Sequence, residues 1–337
     1  MDRVAVLGFG SSGHRFVSLV RKRLPKAEIL VFSSQQLSGE AFRSTSKLSD
    51  VTKFGPTIAI ICGVASERLQ MVEALESEVR GVLVEKPLAV GHPEGLQVAR
   101  ELEKRGSITQ VGYNLRFSTS LRHFKDTING LSMGRVLSLR AETGQFLPSW
   151  RTGRDYRTSA SARQASGGGV LLELSHEIDY LRWIFGDIEW VSAWSGRQSD
   201  LDIDVEDTAH LTLGFSSGDS FQPLIGQVNL DFIRHDRARS ITAVCANGTL
   251  RWDGIALRVE QWTPDNPRWD VLFAEDLTGP TTYEMQWDSF YSAASHGTAP
   301  VVSVEDGAAV LSVIDAARSS QDSQGRRVSL LAGGCVS

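Results

Sequence analysis

The sequence predicts an α/β protein in two parts: a parallel sheet covered by helices on both faces, then a second α/β domain on an open, mainly antiparallel sheet. Three observations carry this expectation. Over the first third, short and nearly continuous apolar runs alternate with amphipathic helical patterns. Beyond about residue 118, long alternating strands follow one another through tight turns such as "ANG" and "SSGD". The chain of 337 residues is also long enough for each half to bury its own core. The expected domains are 1–118 and 119–337.

Taken in order, "RVAVLGFG" reads as a strand and "GHRFVSLVRKRL" as an amphipathic helix. The runs "AEILVFSS", "PTIAIICGV", "GVLVEKPLA" and "SITQVGYNLRF" are further strands. Between them, "ERLQMVEALES" and "PEGLQVARELEKRG" carry helical spacing. The character then changes. A helical run, "SLRHFKDTINGL", leads through "GRVLSLRAETGQF" to a polar stretch dense in Arg and Tyr, and then to "GGGVLLELSHEIDYLRWIFGD". Strand patterns "WVSAWSG", "DTAHLTLGFSSG", "SFQPLIGQVNLDFI", "RSITAVCANGTLRWDG" and "ALRVEQWT" follow, and the helical patterns "YEMQWDSFYSAAS" and "VEDGAAVLSVIDAARSS" close the chain.

Composition narrows the function. Charged residues are 22% and hydrophobic ones 41%, as in globular proteins, and the net charge of −5 with no basic run argues against a nucleic-acid partner. Cys62, Cys245 and Cys335 are odd in number and lack metal-ligand grouping, so no metal site and no disulfide framework is expected. No apolar run reaches the roughly 18 residues of a membrane helix, and no secretory leader is evident at the N-terminus. A cytoplasmic protein without a membrane partner is the expectation.

The chemistry begins with "VAVLGFGSSGHRFV". Gly8, Gly10 and Gly13 stand in GxGxxG spacing at a strand-to-helix turn, with Phe9, Ser11 and Ser12 between them. In such a turn the first glycine allows the tight bend, the second lets backbone approach a pyrophosphate, and the third lets helix pack on strand. A dinucleotide site follows. The second strand ends in Ser33, Ser34 and Gln35, where NAD-specific sites carry an acid for the ribose hydroxyl. Hydroxyls can donate to a 2′-phosphate and nothing there repels it, so the cofactor is NAD or NADP with a slight lean to NADP. Arg43 lies further along the chain. Glu85, Lys86 and Pro87 fall at the carboxyl end of a strand, where open α/β sheets bind ligands and where a lysine can polarise a reacting oxygen. A surface ion pair before a turn proline is the competing reading.

Together, the GxGxxG turn, "EKP", "VGYNLRF" and "GGGVLLELSHEIDYLRWIFG" resemble the Gfo/Idh/MocA oxidoreductases, and the resemblance extends to the final "DGAAVLSVIDAARSSQDSQGRRV". It implies a Rossmann domain followed by a mainly antiparallel α/β domain, NAD or NADP as cofactor, and sugars, polyols or their derivatives as substrates. Lys86 and His176 become the candidate catalytic acid/base groups, and Asn114 and Arg116 fall near the cleft by the same resemblance. The chain departs from the family pattern in two places: Leu172, not Asp, stands four residues before His176, and "CGVASER", with Cys62, replaces the usual "TP" loop, which in the resembled family lies near the cofactor and so places Cys62 there. The segment "PSWRTGRDYRTSASARQASGGG" is similar to a subgroup associated with bacterial surface-sugar or nonulosonic-acid pathways.

On a helical wheel, Leu171, Leu174, Ile178, Leu181 and Phe185 share one face, with Glu173, His176, Glu177 and Tyr180 roughly opposite. This polar face is either solvated or lines a cleft. Glu173 is spaced to orient His176, Asp179 is a second candidate for that task, and Gly167–Gly169 would clear the helix start for a ligand or for backbone. Trp150, Arg151, Arg154, Tyr156, Arg157 and Arg163 are expected substrate contacts, since guanidinium forks suit carboxylate or phosphate on an anionic sugar. An exposed, charge-rich loop is the alternative. Three functions remain open at this point: a sugar-type oxidoreductase, an NAD-assisted glycosidase or lyase using transient oxidation, and a dinucleotide-binding regulator without catalysis. The long second-domain strands suit sheet-to-sheet pairing, and a homodimer or homotetramer is expected.

Overall fold

The computed structural model describes residues 1–35, 37, 41–76, 78–151, 153–216 and 223–330. Cys335 and most of the expected "SSGD" turn lie outside the described residues. The chain divides into two compact units, Met1–Tyr113 with Tyr283–Leu311, and Asn114–Thr282 with Ser312–Ser337. The break thus falls just before the expected one, and residues 283–311 pack in the first unit and not the second.

The first unit holds strands β1 (Arg3–Leu7), β2 (Glu28–Phe32), β3 (Arg43–Thr45), β4 (Ile58–Ile61), β5 (Gly81–Val84) and β6 (Ile108–Val111). All pair in parallel in the order β3-β2-β1-β4-β5-β6. Their helices are α1 (Ser11–Arg23), α2 (Leu48–Phe54), α3 (Arg68–Glu73) and α4 (His92–Lys104). Residues Val4–Leu7 and Ile58–Ile61 are buried on both faces, which is why these strands read as apolar runs without alternation. Helix α1 buries Phe16, Val17, Leu19 and Val20 and ends on Arg21, Lys22 and Arg23, cations that suit its negative end. The core around Phe16, Val31, Ile58 and Leu83 is completed from far along the chain by Trp287, Phe290 and Ala294 of helix α8 (Thr282–His296). Full burial of side chains of this size contributes about 1.5–3 kcal/mol each. Gly81 is small because a Cβ there would press on Ala294 and Phe290.

The second unit is built on α5 (Thr119–Asn129), β7 (Val136–Gly144), α6 (Val170–Glu173), α7 (His176–Phe185), β8 (Ile188–Gly196), β9 (Thr208–Phe215) and β10 (Ile225–Asp231). Strands β11 (Ala238–Cys245), β12 (Gly248–Asp253), β13 (Arg258–Thr263) and β14 (Asn266–Ala274) follow. Helix α9 (Val304–Asp322) begins in the first unit, and β15 (Val328–Ser329) closes the described chain. The sheet runs β14-β13-β12-β11-β7-β10-β9-β8-β15. Every pairing is antiparallel except β7 with β10 at its centre. Its inner face buries Leu139, Ala141, Val191, Leu211, Leu213, Val228, Leu230, Ile241 and Trp252, alternating with outward polar residues. Helix α5 starts at Ser118, whose hydroxyl accepts the Leu121 amide at 3.3 Å. Strand β14 was not anticipated because, as an exposed edge, it shows no apolar alternation. Among the described residues no helix is long and apolar enough to cross a membrane.

Candidate functional site

In the first unit the glycine turn follows β1, at the point where the sheet order reverses between β2 and β4. Each glycine has a separate reason. Gly8 has φ +100°, and a Cβ there would overlap the backbone of Gly63 after β4. A Cβ on Gly13 would overlap the carbonyl oxygen of Gly8, so α1 could not lie so close to β1. A Cβ on Gly10 meets nothing within 4 Å. That side of the turn is open, and the amides of Ser11, Ser12 and Gly13 stand in the first turn of a 13-residue helix, without intrahelical partners. Open backbone at a helix start is what a pyrophosphate requires, so these residues fit a dinucleotide. Phe9 lies against His14, ring centroids 3.8 Å apart, and against Phe42 at 5.1 Å.

At the end of β2, the Ser33 hydroxyl accepts the Gln35 amide at 3.1 Å, and Ser33 itself is buried. Ser34 is exposed. Arg43, on β3, is exposed with its guanidinium 5.9 Å from the Phe54 ring centroid.

The carboxyl ends of β4 and β5 carry Cys62, Glu85 and Lys86 with one residue that sequence reasoning did not single out, Arg68. Its guanidinium is buried and donates to the Ile61 carbonyl at 2.8 Å and the Lys86 carbonyl at 3.5 Å, tying the two strand ends together. A signal was available, because Arg68 shares the helical face of Met71, Val72 and Leu75, and a cation on an apolar stripe needs a buried acceptor. Burial pushes the Glu85 carboxyl up, with Arg68 and Lys86 opposing that shift. Burial, then the nearby Glu85, pushes the Cys62 thiol well up, favouring the neutral form. Glu85 Oε1 is buried with no hydrogen-bond partner among the described residues. An acceptor in that state suits an N–H donor on a bound ligand, such as a carboxamide.

In the second unit the glycine-rich helix proves to be two. Helix α6 stops at Glu173, Leu174 departs from helical geometry with φ −98° and ψ 27°, and α7 starts at His176. The one-helix spacing that suggested Glu173 as a partner of His176 is therefore interrupted. Glu173 accepts from the Ser161 hydroxyl at 3.0 Å. Two of the three glycines are required by close backbone and side-chain approach: a Cβ on Gly168 would overlap the carbonyls of Ala160 and Ser161, and one on Gly169 would overlap the Glu206 carboxylate.

The polar face of α7 is buried. Asp179 receives Arg116 through Nη2 at 2.6 Å and Nε at 3.0 Å, with exposures of 1% and 4%. Glu177, fully buried, receives Thr143 at 2.6 Å and Arg239 at 2.8 Å. Burial, and then the neighbouring Glu177 charge, pushes the Tyr180 hydroxyl well up, so it stays a neutral donor. His176 itself is partly exposed. Asn114 is buried, its side-chain amide donating to the Thr282 hydroxyl at 2.7 Å.

The expected substrate loop is largely bonded to itself. Arg157 forks onto Asp155 through Nε at 2.9 Å and Nη2 at 2.8 Å, and that contact draws the Asp155 carboxyl down. Arg163 donates to the Arg157 carbonyl at 2.8 Å and faces Asp204 at 3.8 Å. Trp150 donates to the Gln145 carbonyl and lies edge-on to Phe232. The Tyr156 hydroxyl accepts the Asp202 amide at 3.2 Å. Arg151 and Arg154 are exposed.

Comparison with known proteins bears on both units. Residues 121–251 match the family model described as the GFO/IDH/MocA C-terminal domain. A myo-inositol 2-dehydrogenase of Thermotoga maritima is 27% identical over 165 residues, 47% of this chain and 46% of that protein. The chain spans about half the length of the curated relatives it matches. Among solved structures, levoglucosan dehydrogenase in complex with NADH and L-sorbose superimposes with a TM-score of 0.83 at 18% identity, covering 98% of each chain. The WlbA dehydrogenase of Bordetella pertussis, in complex with NADH and UDP-GlcNAcA, gives 0.79 at 20% identity, with 98% and 99% covered. A parallel sheet in the order of a dinucleotide-binding fold, followed by this mainly antiparallel domain, is the architecture those neighbours share, and residues 121–251 carry the GFO/IDH/MocA C-terminal domain.

Proposed function

We propose that this protein is an NAD(P)-dependent oxidoreductase that moves a hydride between a nicotinamide and the CH–OH carbon of a sugar or polyol. The observation that carries the reading is the turn after β1, where Gly8 and Gly13 are forced by close packing while Gly10 faces open space. A purely structural turn has no use for the second glycine. The relatives named as inositol and sugar dehydrogenases, and the NADH in the neighbours' structures, support the same chemistry.

The nicotinamide, when bound, supplies the hydride acceptor or donor. The amides of Ser11–Gly13 would face the pyrophosphate, and Glu85 Oε1 would accept from the carboxamide. Lys86 polarises the reacting oxygen, and His176 takes its proton on oxidation or returns it on reduction. An anionic sugar derivative fits Arg151 and Arg154 better than Arg157 and Arg163, which already meet carboxylates. The UDP-GlcNAcA in the WlbA structure supports that substrate class and, with it, a place in surface-sugar metabolism. The end of β2, with hydroxyls and no carboxylate at Ser33–Gln35, supports acceptance of NADP beside NAD.

The test is steady-state turnover of NAD and NADP with a panel of inositols, sugars and uronic-acid derivatives. For Lys86→Ala and His176→Ala we expect kcat to fall by at least about 100-fold, in line with acid/base groups generally, while dinucleotide affinity in His176→Ala stays unchanged. Undiminished turnover in His176→Ala removes that residue from the mechanism.

A further inference from the structure

We propose that the buried Glu177–Arg239 pair, closed by Thr143, fixes the roll of α7 on its sheet and so holds His176 in its working position. This rests on the acid/base reading of His176 given above. The need arises from the break between α6 and α7. Leu174 leaves helical geometry, the 3.3 Å bond from the Glu177 amide to the Leu174 carbonyl ties the start of α7 back to the break, and His176 is the first residue of a new helix. The place from which its side chain springs therefore depends on whatever holds the first turn of α7.

Apolar packing alone does not do this. Ile178, Leu181 and Ile184 bury the inner side of α7, but such contacts are non-directional and allow a helix to roll by a fraction of a residue. Glu177 adds direction. Arg239 on β11 and Thr143 on β7 are opposite one another in the antiparallel ladder, and both donate to Oε1 of Glu177, at 2.8 and 2.6 Å. One turn along α7, the Tyr180 hydroxyl reaches the same oxygen at 3.4 Å and sits edge-on to Trp252 of β12. A single carboxylate oxygen is thus located from two strands and from its own helix. The residue that it locates is covalently next to His176.

Stability does not explain the arrangement. Glu177 is fully buried and Arg239 is 17% exposed, and Glu177 Oε2 is buried without a hydrogen-bond partner among the described residues. A buried ion pair with an unsatisfied oxygen is commonly no more stable than apolar side chains of similar volume. What it supplies is registry, which apolar side chains lack. Glu177 and Arg239 are positioning residues under this account, acting through His176 and not on substrate.

The experiment compares wild type, Arg239→Met and the double variant Glu177→Leu/Arg239→Met. The single variant leaves Glu177 without its guanidinium and should melt lower; the double variant should melt close to wild type. Despite its restored melting temperature, the double variant should lose at least about 10-fold in kcat, about 1.4 kcal/mol in barrier, with NADH affinity unchanged. The imidazole C–H resonance of His176, assigned among the seven histidines by its loss in His176→Ala, should shift or split in the double variant. A double variant with wild-type kcat and a wild-type His176 resonance overturns the proposal. Should the wild type turn over no sugar or polyol, the acid/base reading fails, and the His176 resonance alone decides the positioning role.

Discussion

Gly8 and Gly13 are boxed in by backbone, whereas Gly10 borders open space. Their alanine variants should therefore part company. Gly8→Ala places a Cβ into Gly63 at φ +100° and should destabilise the fold by several kcal/mol, in excess of the roughly 1–3 kcal/mol of an unfavourable backbone alone. Gly10→Ala should leave the melting temperature within a few degrees of wild type while weakening dinucleotide binding at least about 10-fold, or 1.4 kcal/mol. Thermal melts with and without NADH, together with a fluorescence titration, check both; full-affinity binding by Gly10→Ala would sink the cradle. These glycines were legible because their function is local, set by spacing within one turn. Arg68 was half legible, as a cation on an apolar stripe. Glu177 with Arg239 was illegible, since the partner lies 62 residues away on strand β11 and no local pattern announces it.

The same limit governs the elements. A run such as "IAII" reads as a strand because burial on both faces leaves a continuous apolar signature, and it forms β4. The "LLELSHEID" run keeps helical periodicity through a break, so the wheel merged α6 with α7 and put Glu177 on a polar face that is in fact buried. What buries that face is a pair of anchors, Glu177 to Arg239 and Asp179 to Arg116. Asp179, expected as a possible partner of His176, also makes the second anchor of α7 through Arg116. Removing either member of such a buried pair costs about 3–5 kcal/mol. Asp179→Leu should accordingly unfold at markedly lower urea than wild type, and Arg116→Met/Asp179→Leu should regain most of the loss. A stable, inactive Asp179→Leu would instead return the residue to the chemistry.

At the scale of the whole molecule, two architectures share one chain, and the chain closes on itself in sequence. Residues 283–311 come back to the first unit, where Trp287 and Phe290 complete a core begun at Val4. The change of architecture was visible in the sequence as a change of period, from buried parallel strands to alternating antiparallel ones. The returning segment was not, because an apolar helix does not state which core it joins. Nor does the mixed character of the second sheet follow from pattern alone: β7 and β10 pair in parallel although residues 145–224, with α6, α7, β8 and β9, lie between them in sequence.

The central claim is hydride transfer to a dinucleotide held at the glycine turn, and one isotope measurement tests it most directly. The purified protein is given NAD and a polyol or sugar substrate found in the turnover panel, deuterated at its CH–OH carbon, and the products of a single turnover are weighed by mass spectrometry. The account predicts deuterium on the nicotinamide ring of released NADH and a ketone product, with both lost in His176→Ala. Deuterium returned to a rearranged or cleaved sugar, with no net NADH formed, would contradict it and favour transient oxidation.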